Sequence, residues 1–440
     1  MSVHLTTEQV TQMAPDSSSA SAGKKLANAK HWKNLGQNEA ALWGECQGSA
    51  LYQVKVDLAA LSVQCSCPSR KQPCKHGLGL LLLTVASPNT VPTTEPPEWV
   101  ATWLQRKAAA SQRKETRKVQ AADPNAKPSA AQQKTAQKRQ ALVLQGIDRL
   151  DLWLNDLVRN GLSSLETQPA KFWEDQAASM VDAQASGLAV RLRRMAEIPN
   201  SSADWPAKLL DHLGQLALLT HAYRRIDQLD PALQEDVRFM VGWPLREEEV
   251  IARGTRVSDD WLILGQVNEE ASRGTNQRTW LLGTNTQRPA LIEQFAPKGS
   301  QVPQLLPLGA RWQAELCYWP GAAPQRALIA TTHQTHASFN GPFPALATLE
   351  AFMEQVASTL ALQPWRERFL CTVQNVVPSL DKAGQWYIHD STGHSLPLIS
   401  DEHWKLLALS GGQPLDFAGE WNGETLRPFG VFIENQYHLL

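Results

Sequence analysis

The chain has 440 residues, and because single domains usually run to about 100–200 residues we expect two to four of them. Hydrophobic residues make up 42% of the chain and 16 residues are tryptophan, enough apolar material to exclude a largely disordered protein. The formal charge of -1 argues against a protein coated all over with positive potential. Neither a secretory signal nor an apolar run of ~18 residues is present, so we expect a cytoplasmic protein without membrane contact.

Residues 1–90 predict short helices, a β-hairpin and a further helix. Ser and Asp residues around 16–17 can cap a helix that continues into Ala- and Lys-rich sequence. Apolar and polar residues alternate over 51–57 and again over 61–65, which is typical of two paired strands. The apolar sequence GLGLLLLTVAS that follows predicts a helix packed on this hairpin.

A Pro-rich and then basic linker is expected over 91–140. The prolines between 88 and 97 disfavour regular structure. Residues 104–140 contain almost no large apolar side chains, so they predict disorder or a solvated helix. Ten Lys or Arg residues lie between Arg106 and Arg139, so this segment concentrates positive charge and leaves the remainder of the chain mildly acidic.

The remaining sequence predicts a helical domain over 141–243 and a β-rich region over 244–440. Apolar residues recur at intervals of three and four from Leu142 onwards, most clearly over 172–195 and 205–226. Short apolar and aromatic runs separated by Gly, Asn and Pro then predict strands, interrupted by one helix at about 346–362. We expect these strands to form one or two small barrel-like or sandwich domains.

Three of the six cysteines cluster with a histidine in the sequence CSCPSRKQPCKH. Zinc prefers four tetrahedral nitrogen or sulfur donors, and three thiolates with one imidazole would leave no position for water, so the site would be structural. A chance cluster of unpaired cysteines is the alternative. A disulfide between the first two is disfavoured, because two residues of extended chain place their Cα atoms near the ~7 Å limit for bridging. The candidate ligands are Cys65, Cys67, Cys74 and His76.

The segment LYQVKVDLAALSVQCSCPSRKQPCKHGLGLLLL closely resembles the SWIM zinc finger, whose pattern is CxC, a variable gap and CxH. The resemblance implies a β-hairpin followed by a helix at about 50–88, one structural Zn2+ and the four ligands above. The longer segment that includes WGECQGS before the hairpin also resembles bacterial SWIM-finger proteins associated with an AAA+ ATPase and a von Willebrand A-type protein. The expected fold class is therefore α+β, with a small ββα zinc-finger domain, a helical middle domain and a β-rich C-terminal half.

Three functions are compatible with this organisation. The resemblance to SWIM fingers implies binding to DNA or to proteins, and the motif does not decide between them. The first function is an adaptor that uses the finger for protein–protein contacts. The second is a DNA-binding protein in which Arg70, Lys71 and Lys75 act together with the basic segment on phosphates, although a solvated linker explains that segment equally well. The third is an enzyme with a site in the C-terminal half, which a deep polar pocket there would favour. Because no nucleotide-binding or hydrolase motif is present, we expect a protein that is not an enzyme.

Other histidines and cysteines could carry chemistry outside the finger. His333 and His336 could be two metal ligands, and His389, Asp390 and His394 could form an acid–base cluster. Structural histidines in loops explain both groups better. Buried packing is the expected role of the cysteines outside the motif, which are Cys46, Cys317 and Cys371.

Overall fold

The structure is a computed structural model that describes residues 5–69, 71–121, 130–271, 273–298, 300, 302, 304–332, 337–339, 341–399 and 403–440. In chain order these residues form a domain around a four-stranded sheet, a helical region and a β-rich C-terminal half with two six-stranded sheets. The predicted α+β class is confirmed. Within the described ranges, no helix combines the length and the apolar character needed to cross a bilayer.

The N-terminal domain packs helices against one face of an antiparallel sheet. Its elements are α1 (Thr7–Gln12), α2 (Ser17–Leu26), β1 (Trp32–Gln37), β2 (Ala41–Gln47), β3 (Leu51–Asp57), β4 (Ser62–Cys65) and α3 (Lys75–Ala86). The predicted hairpin and helix are β3, β4 and α3, and inward-facing Val54, Val56 and Leu80 are fully buried between them. The expected ββα unit is only part of the domain, because β1 and β2 extend the sheet to the order β1-β2-β3-β4.

The outer face of this sheet is covered by the next helix, α4 (Glu98–Ala121). Val100 is buried against Trp43 of β2, with other apolar residues of the first turns of α4 packed around them. Two turns after Val100, the ammonium group of Lys107 forms an ion pair with the carboxylate of Asp57, whose side chain is only 3% exposed. Both faces of the sheet are therefore occupied by helices of the same chain.

Within the segment expected to be a linker over 91–140, the first turns of α4 therefore pack on the sheet. Trp99 and Trp103 lie just before the basic run and flank the ammonium group of Lys55, at 5.8 and 5.3 Å from the ring centroids. These aromatic side chains give α4 enough apolar surface to pack on the sheet. Residues 130–142 instead belong to a helix, and the side chains described there, 130, 131 and 133–142, are almost all exposed, which matches the solvated helix that the sequence allowed.

The middle of the chain is helical, as predicted. Its helices are α5 (Ala130–Asn160), α6 (Ala170–Asp182), α7 (Ser186–Met195), α8 (Trp205–Arg224) and α9 (Pro231–Val241). Their apolar faces share one core, in which Ile147, Trp173, Leu188 and Leu216 are almost completely buried. The segment predicted as continuous over 172–195 is broken into α6 and α7, because Gln184 adopts a left-handed backbone conformation with a φ of 58°.

The C-terminal half stacks two antiparallel sheets. Its elements are α10 (Glu247–Arg253), β5 (Arg256–Ala271), β6 (Gly274–Gly283), β7 (Pro289–Pro297), β8 (Ala310–Tyr318), β9 (Ala327–Thr332), β10 (Ala337–Ser338), α11 (Leu349–Leu362), β11 (Phe369–Leu380), β12 (Trp386–His389), β13 (Ser395–Pro397), α12 (His403–Ser410), β14 (Leu415–Trp421), β15 (Leu426–Ile433) and β16 (Gln436–Leu439). Strands β5–β10 form one sheet and β11–β16 the other. Leu262 and Trp280 of the first sheet meet Leu370 and Phe429 of the second, so the arrangement is a sandwich.

Candidate metal centre

The four candidate ligands converge where β4 ends and α3 begins. Cys65 is the last residue of β4, Cys74 is the N-cap of α3, and His76 lies in the first turn of that helix. The ligand atoms of these residues and of Cys67 all lie within 4.8 Å of one another. Sγ of Cys65 is 3.7 Å from Nδ1 of His76, so it is this ring nitrogen that faces the sulfur atoms.

The geometry and chemistry of this cluster fit a zinc ion. Tetrahedral zinc with bonds of about 2.3 Å to sulfur places its donor atoms about 3.8 Å apart, close to the spacing observed. Cys74 and His76 are buried, whereas Cys65 and Cys67 are partly exposed on the loop side. Three sulfur atoms and one imidazole would complete the coordination of the ion, so the arrangement serves a structural zinc and offers no open position for a substrate.

The thiols interact strongly with one another. A hydrogen bond from Cys65 lowers the pKa of Cys74 to about 4, while the same bond and burial raise the pKa of Cys65. Burial also raises the pKa of Cys67. A divalent cation reverses this situation, because its charge stabilises all three thiolates together.

Two neighbours of the cluster were not identified from the sequence. The ring of Tyr52 lies 4.9 Å from the ring of His76 and covers the imidazole. This position follows from the strand register, which pairs Val54 with Cys65 and so places Tyr52 just past the end of β4. An amphipathic pattern locates a strand but does not give its register with the neighbouring strand, so the sequence offered no signal for this contact.

The second neighbour is Gly77, which allows α3 to lie directly on β4. A Cβ atom at this position would lie 2.2 Å from Cγ1 of Val63, far inside van der Waals contact. Because His76 precedes this residue, any displacement of α3 from β4 would also move a candidate ligand. Gly77 is therefore required by packing at the metal centre.

We expect Gly77→Ala to destabilise the N-terminal domain by about 1–3 kcal/mol, the usual range for overpacking a core. Thermal unfolding followed by circular dichroism, together with zinc content, would measure the effect. In the background Val63→Ala, which removes the clashing methyl groups, the same change should cost much less. An equal loss in both backgrounds would contradict this explanation.

The residues considered for nucleic-acid binding differ in their surroundings. Lys71 forms an ion pair with Asp16 at 2.8 Å, whereas Lys75 is exposed at the start of α3. Arg70 lies outside the described residues. The structure therefore leaves Lys75 accessible while Lys71 already has a carboxylate partner.

The described histidine group outside the finger, His389, Asp390 and His394, is organised around the carboxylate of Asp390. One carboxylate oxygen of Asp390 accepts a hydrogen bond from the backbone N–H of Leu349 at 2.8 Å, and the other accepts from Thr392 and His394. This carboxylate thus holds a turn and the start of α11, in agreement with the structural interpretation. His333 and His336 lie outside the described residues, and the remaining cysteines, Cys46, Cys317 and Cys371, are buried as predicted.

Comparison with known families identifies two segments. The family model of the SWIM zinc finger matches residues 52–84, and that of the SWIM-associated four-helix bundle domain matches residues 138–241. No curated protein and no solved structure matches the chain. The resemblance to the SWIM finger is thereby confirmed, and the cluster at the start of α3 is the Cys and His set of a zinc-binding domain.

Proposed function

We propose that this SWIM-type zinc-finger protein is an adaptor without chemistry of its own, which contacts a protein partner through the tip of its finger. The finger tip is defined here as residues 66–69 and 71–73 together with Leu51, which starts β3. One Zn2+ held by Cys65, Cys67, Cys74 and His76 would fix this loop to α3. The ion would shape the contact surface and take no part in a reaction.

The observation that carries this proposal is the internal pairing of cationic side chains that a DNA-binding protein would present to phosphates. Lys71 is paired with Asp16 and Lys107 with buried Asp57. The guanidinium group of Arg139 donates a hydrogen bond to the carbonyl oxygen of Gly242 at 2.7 Å and stacks on an indole ring. Part of the basic character of the sequence is therefore engaged in contacts within the fold, which reduces the charge that is free to meet phosphates.

The surface of the finger that remains free also favours a protein partner. Helices α1–α3 cover one face of its sheet and α4 covers the other, which leaves the tip. There the side chain of Leu51 is 44% exposed, and Ser66, Pro68 and Ser69 are also exposed. The backbone carbonyl of Gln53, two residues after Leu51, accepts a hydrogen bond from Ser66 at 3.0 Å. Exposed apolar and small polar residues of this kind are suited to a modest protein contact. The proposed partner is an AAA+ ATPase with its von Willebrand A-type protein, on the basis of the sequence frame around the finger.

We expect Leu51→Asp to weaken binding of the purified ATPase at least about tenfold, which corresponds to 1.4 kcal/mol, while zinc content stays unchanged. Isothermal titration calorimetry with the wild-type and variant chains would measure this. Leu152→Asp is the matched control, because Leu152 is also exposed, at 68%, but lies on α5 away from the finger. Equal affinity of the Leu51 variant and the wild type, or no binding by the wild type, would refute the proposed contact.

DNA binding remains the second candidate because Lys75, Lys134 and Lys138 are exposed. Fluorescence anisotropy with duplex DNA at about 50 and 200 mM salt separates the two functions, since phosphate contacts make affinity fall steeply with salt. If the protein is an adaptor, we expect only weak binding to duplex DNA, and this binding should change little in the double variant Lys134→Gln/Lys138→Gln. Tight binding that is lost at the higher salt and in this variant would favour the DNA-binding function.

A further inference from the structure

A cavity of about 420 Å³ lies between the helical region and the C-terminal sandwich. Helices α7 and α9 form one side of it, and the turn between β8 and β9 and residues 363–368 form the other. Its walls include the aromatic side chains of Phe239, Trp319 and Trp365. The volume falls in the range of about 300–1,000 Å³ that is usual for small-molecule sites, which also favour the junctions between domains.

Five arginines and four carboxylates line this cavity, and several of them neutralise each other. Glu367 pairs with Arg194 at 2.8 Å and with Arg191 at 3.4 Å. Glu293 lies 2.7 Å from Arg326. These two carboxylates are therefore neutralised by the arginines they pair with, and they provide little negative charge to the other arginines of the cavity.

Arg366 has no such partner among the described residues. Its guanidinium group donates to the carbonyl oxygen of Ala323 and to the side chain of Gln363, and burial lowers its pKa to about 10. The carboxylate that affects the pKa of Arg366 electrostatically is that of Asp236. It accepts hydrogen bonds from the side chain of Gln363 at 2.7 Å and from a backbone N–H, and none from Arg366. The guanidinium group of Arg366, a residue that is only partly exposed, thus lacks a direct counter-ion among the described residues.

Three buried N–H donors of residues at this cavity lack a hydrogen-bond acceptor within the described structure. They are Nε of Arg326, which nevertheless lies 2.7 Å from the carboxylate of Glu293, Nε of Arg366 and Nε1 of Trp319. Buried donors almost always have a hydrogen-bond partner, and a missing partner calls for an explanation. An unpaired guanidinium group and an indole N–H at one cavity with aromatic walls together call for an anionic, acceptor-rich group.

We propose that this cavity binds a small organic anion with a flat apolar body, whose carboxylate, phosphate or sulfonate group is held by Arg366 and Trp319. The aromatic walls would enclose the body of the ligand, and the anion would supply the counter-charge that Arg366 lacks. The site joins the SWIM-associated helices to the unmatched C-terminal half. Its occupant would therefore stabilise the contact between these two parts of the chain.

The test uses the fluorescent probe anilinonaphthalene sulfonate with the full-length, zinc-loaded chain. We expect saturable binding of one equivalent, a rise in the thermal unfolding temperature on binding, and at least about tenfold weaker binding in Arg366→Gln. Arg246→Gln is the matched control, since the side chain of Arg246 is 76% exposed at the start of α10, and it should bind as the wild type does. Phenylnaphthylamine, a neutral aromatic probe of similar shape, should bind at least about tenfold more weakly than the sulfonate.

Trp319→Phe keeps an aromatic wall but removes the indole N–H, so it carries the test if Arg366→Gln does not fold. We expect this variant to bind the sulfonate about three- to tenfold more weakly, the usual effect of losing one hydrogen bond to a charged group. Unchanged affinity in whichever of these variants folds would overturn the proposal. Absence of stoichiometric binding, or equal affinity for the neutral probe, would overturn it as well.

Discussion

Replacing Cys74 with serine is expected to release the zinc ion and to unfold the N-terminal domain. Cys74 is buried at the start of α3, within 4.8 Å of the other three candidate ligand atoms. A serine hydroxyl does not ionise to replace the lost thiolate, and zinc binding contributes on the order of 10 kcal/mol to the folding of small finger modules. Zinc per chain measured by mass spectrometry should fall from about one to near zero. The helical signal of α1–α3 in circular dichroism should fall with it.

Cys46→Ala is the matched control for this experiment. Cys46 is as completely buried as Cys74 and belongs to the same domain core, but its sulfur is not among the converging atoms. We expect this variant to retain zinc and to lose only about 1–2 kcal/mol of stability, in keeping with the removal of one small buried group. Retention of stoichiometric zinc by Cys74→Ser would show that the four residues do not form the site.

The metal centre could be predicted from the sequence because its ligands are local. Three cysteines and a histidine within twelve positions, preceded by alternating strands and followed by an apolar helix, restrict the chemistry and the supporting structure together. The strands of the C-terminal half were also found from their own composition. In each case the residues that determine the feature lie within one helix or strand, or in segments that are adjacent in the sequence.

Contacts between distant segments could not be predicted in the same way. The pairing of Lys107 with Asp57 and the packing of α4 on the finger sheet depend on a helix returning to strands some 50 residues earlier. Lys107 appeared as one more cation in a basic run, because sequence does not show which charge meets a buried partner. The cavity around Arg366 likewise exists only where the helical region meets the sandwich.

Glu420→Gln is expected to destabilise the C-terminal sandwich by about 3–5 kcal/mol, the usual cost of breaking a buried ion pair. The carboxylate of Glu420 accepts hydrogen bonds from Nε of Arg278 at 3.0 Å and from Nε1 of Trp280 at 2.6 Å. The side chains of Glu420 and Arg278 are only 5% and 10% exposed, and they join strand β14 of one sheet to β6 of the other. Urea-induced unfolding followed by near-ultraviolet circular dichroism would give the difference in free energy of unfolding.

Two further variants distinguish the buried pair from charge effects in general. Glu424→Gln removes a carboxylate from the same part of the chain, but Glu424 is 58% exposed in a surface pair with Lys208, so we expect a change below about 1 kcal/mol. The double variant Glu420→Leu/Arg278→Met replaces both charges with apolar groups and should recover most of the stability lost in Glu420→Gln, because the buried guanidinium group is removed together with its carboxylate partner. Recovery would show that the cost comes from a buried Arg278 that keeps only its ion pair with the half-exposed Glu269. If the double variant is as unstable as Glu420→Gln, the hydrogen bond from Trp280 or the packing of the two side chains contributes more to stability than the pairing of their charges.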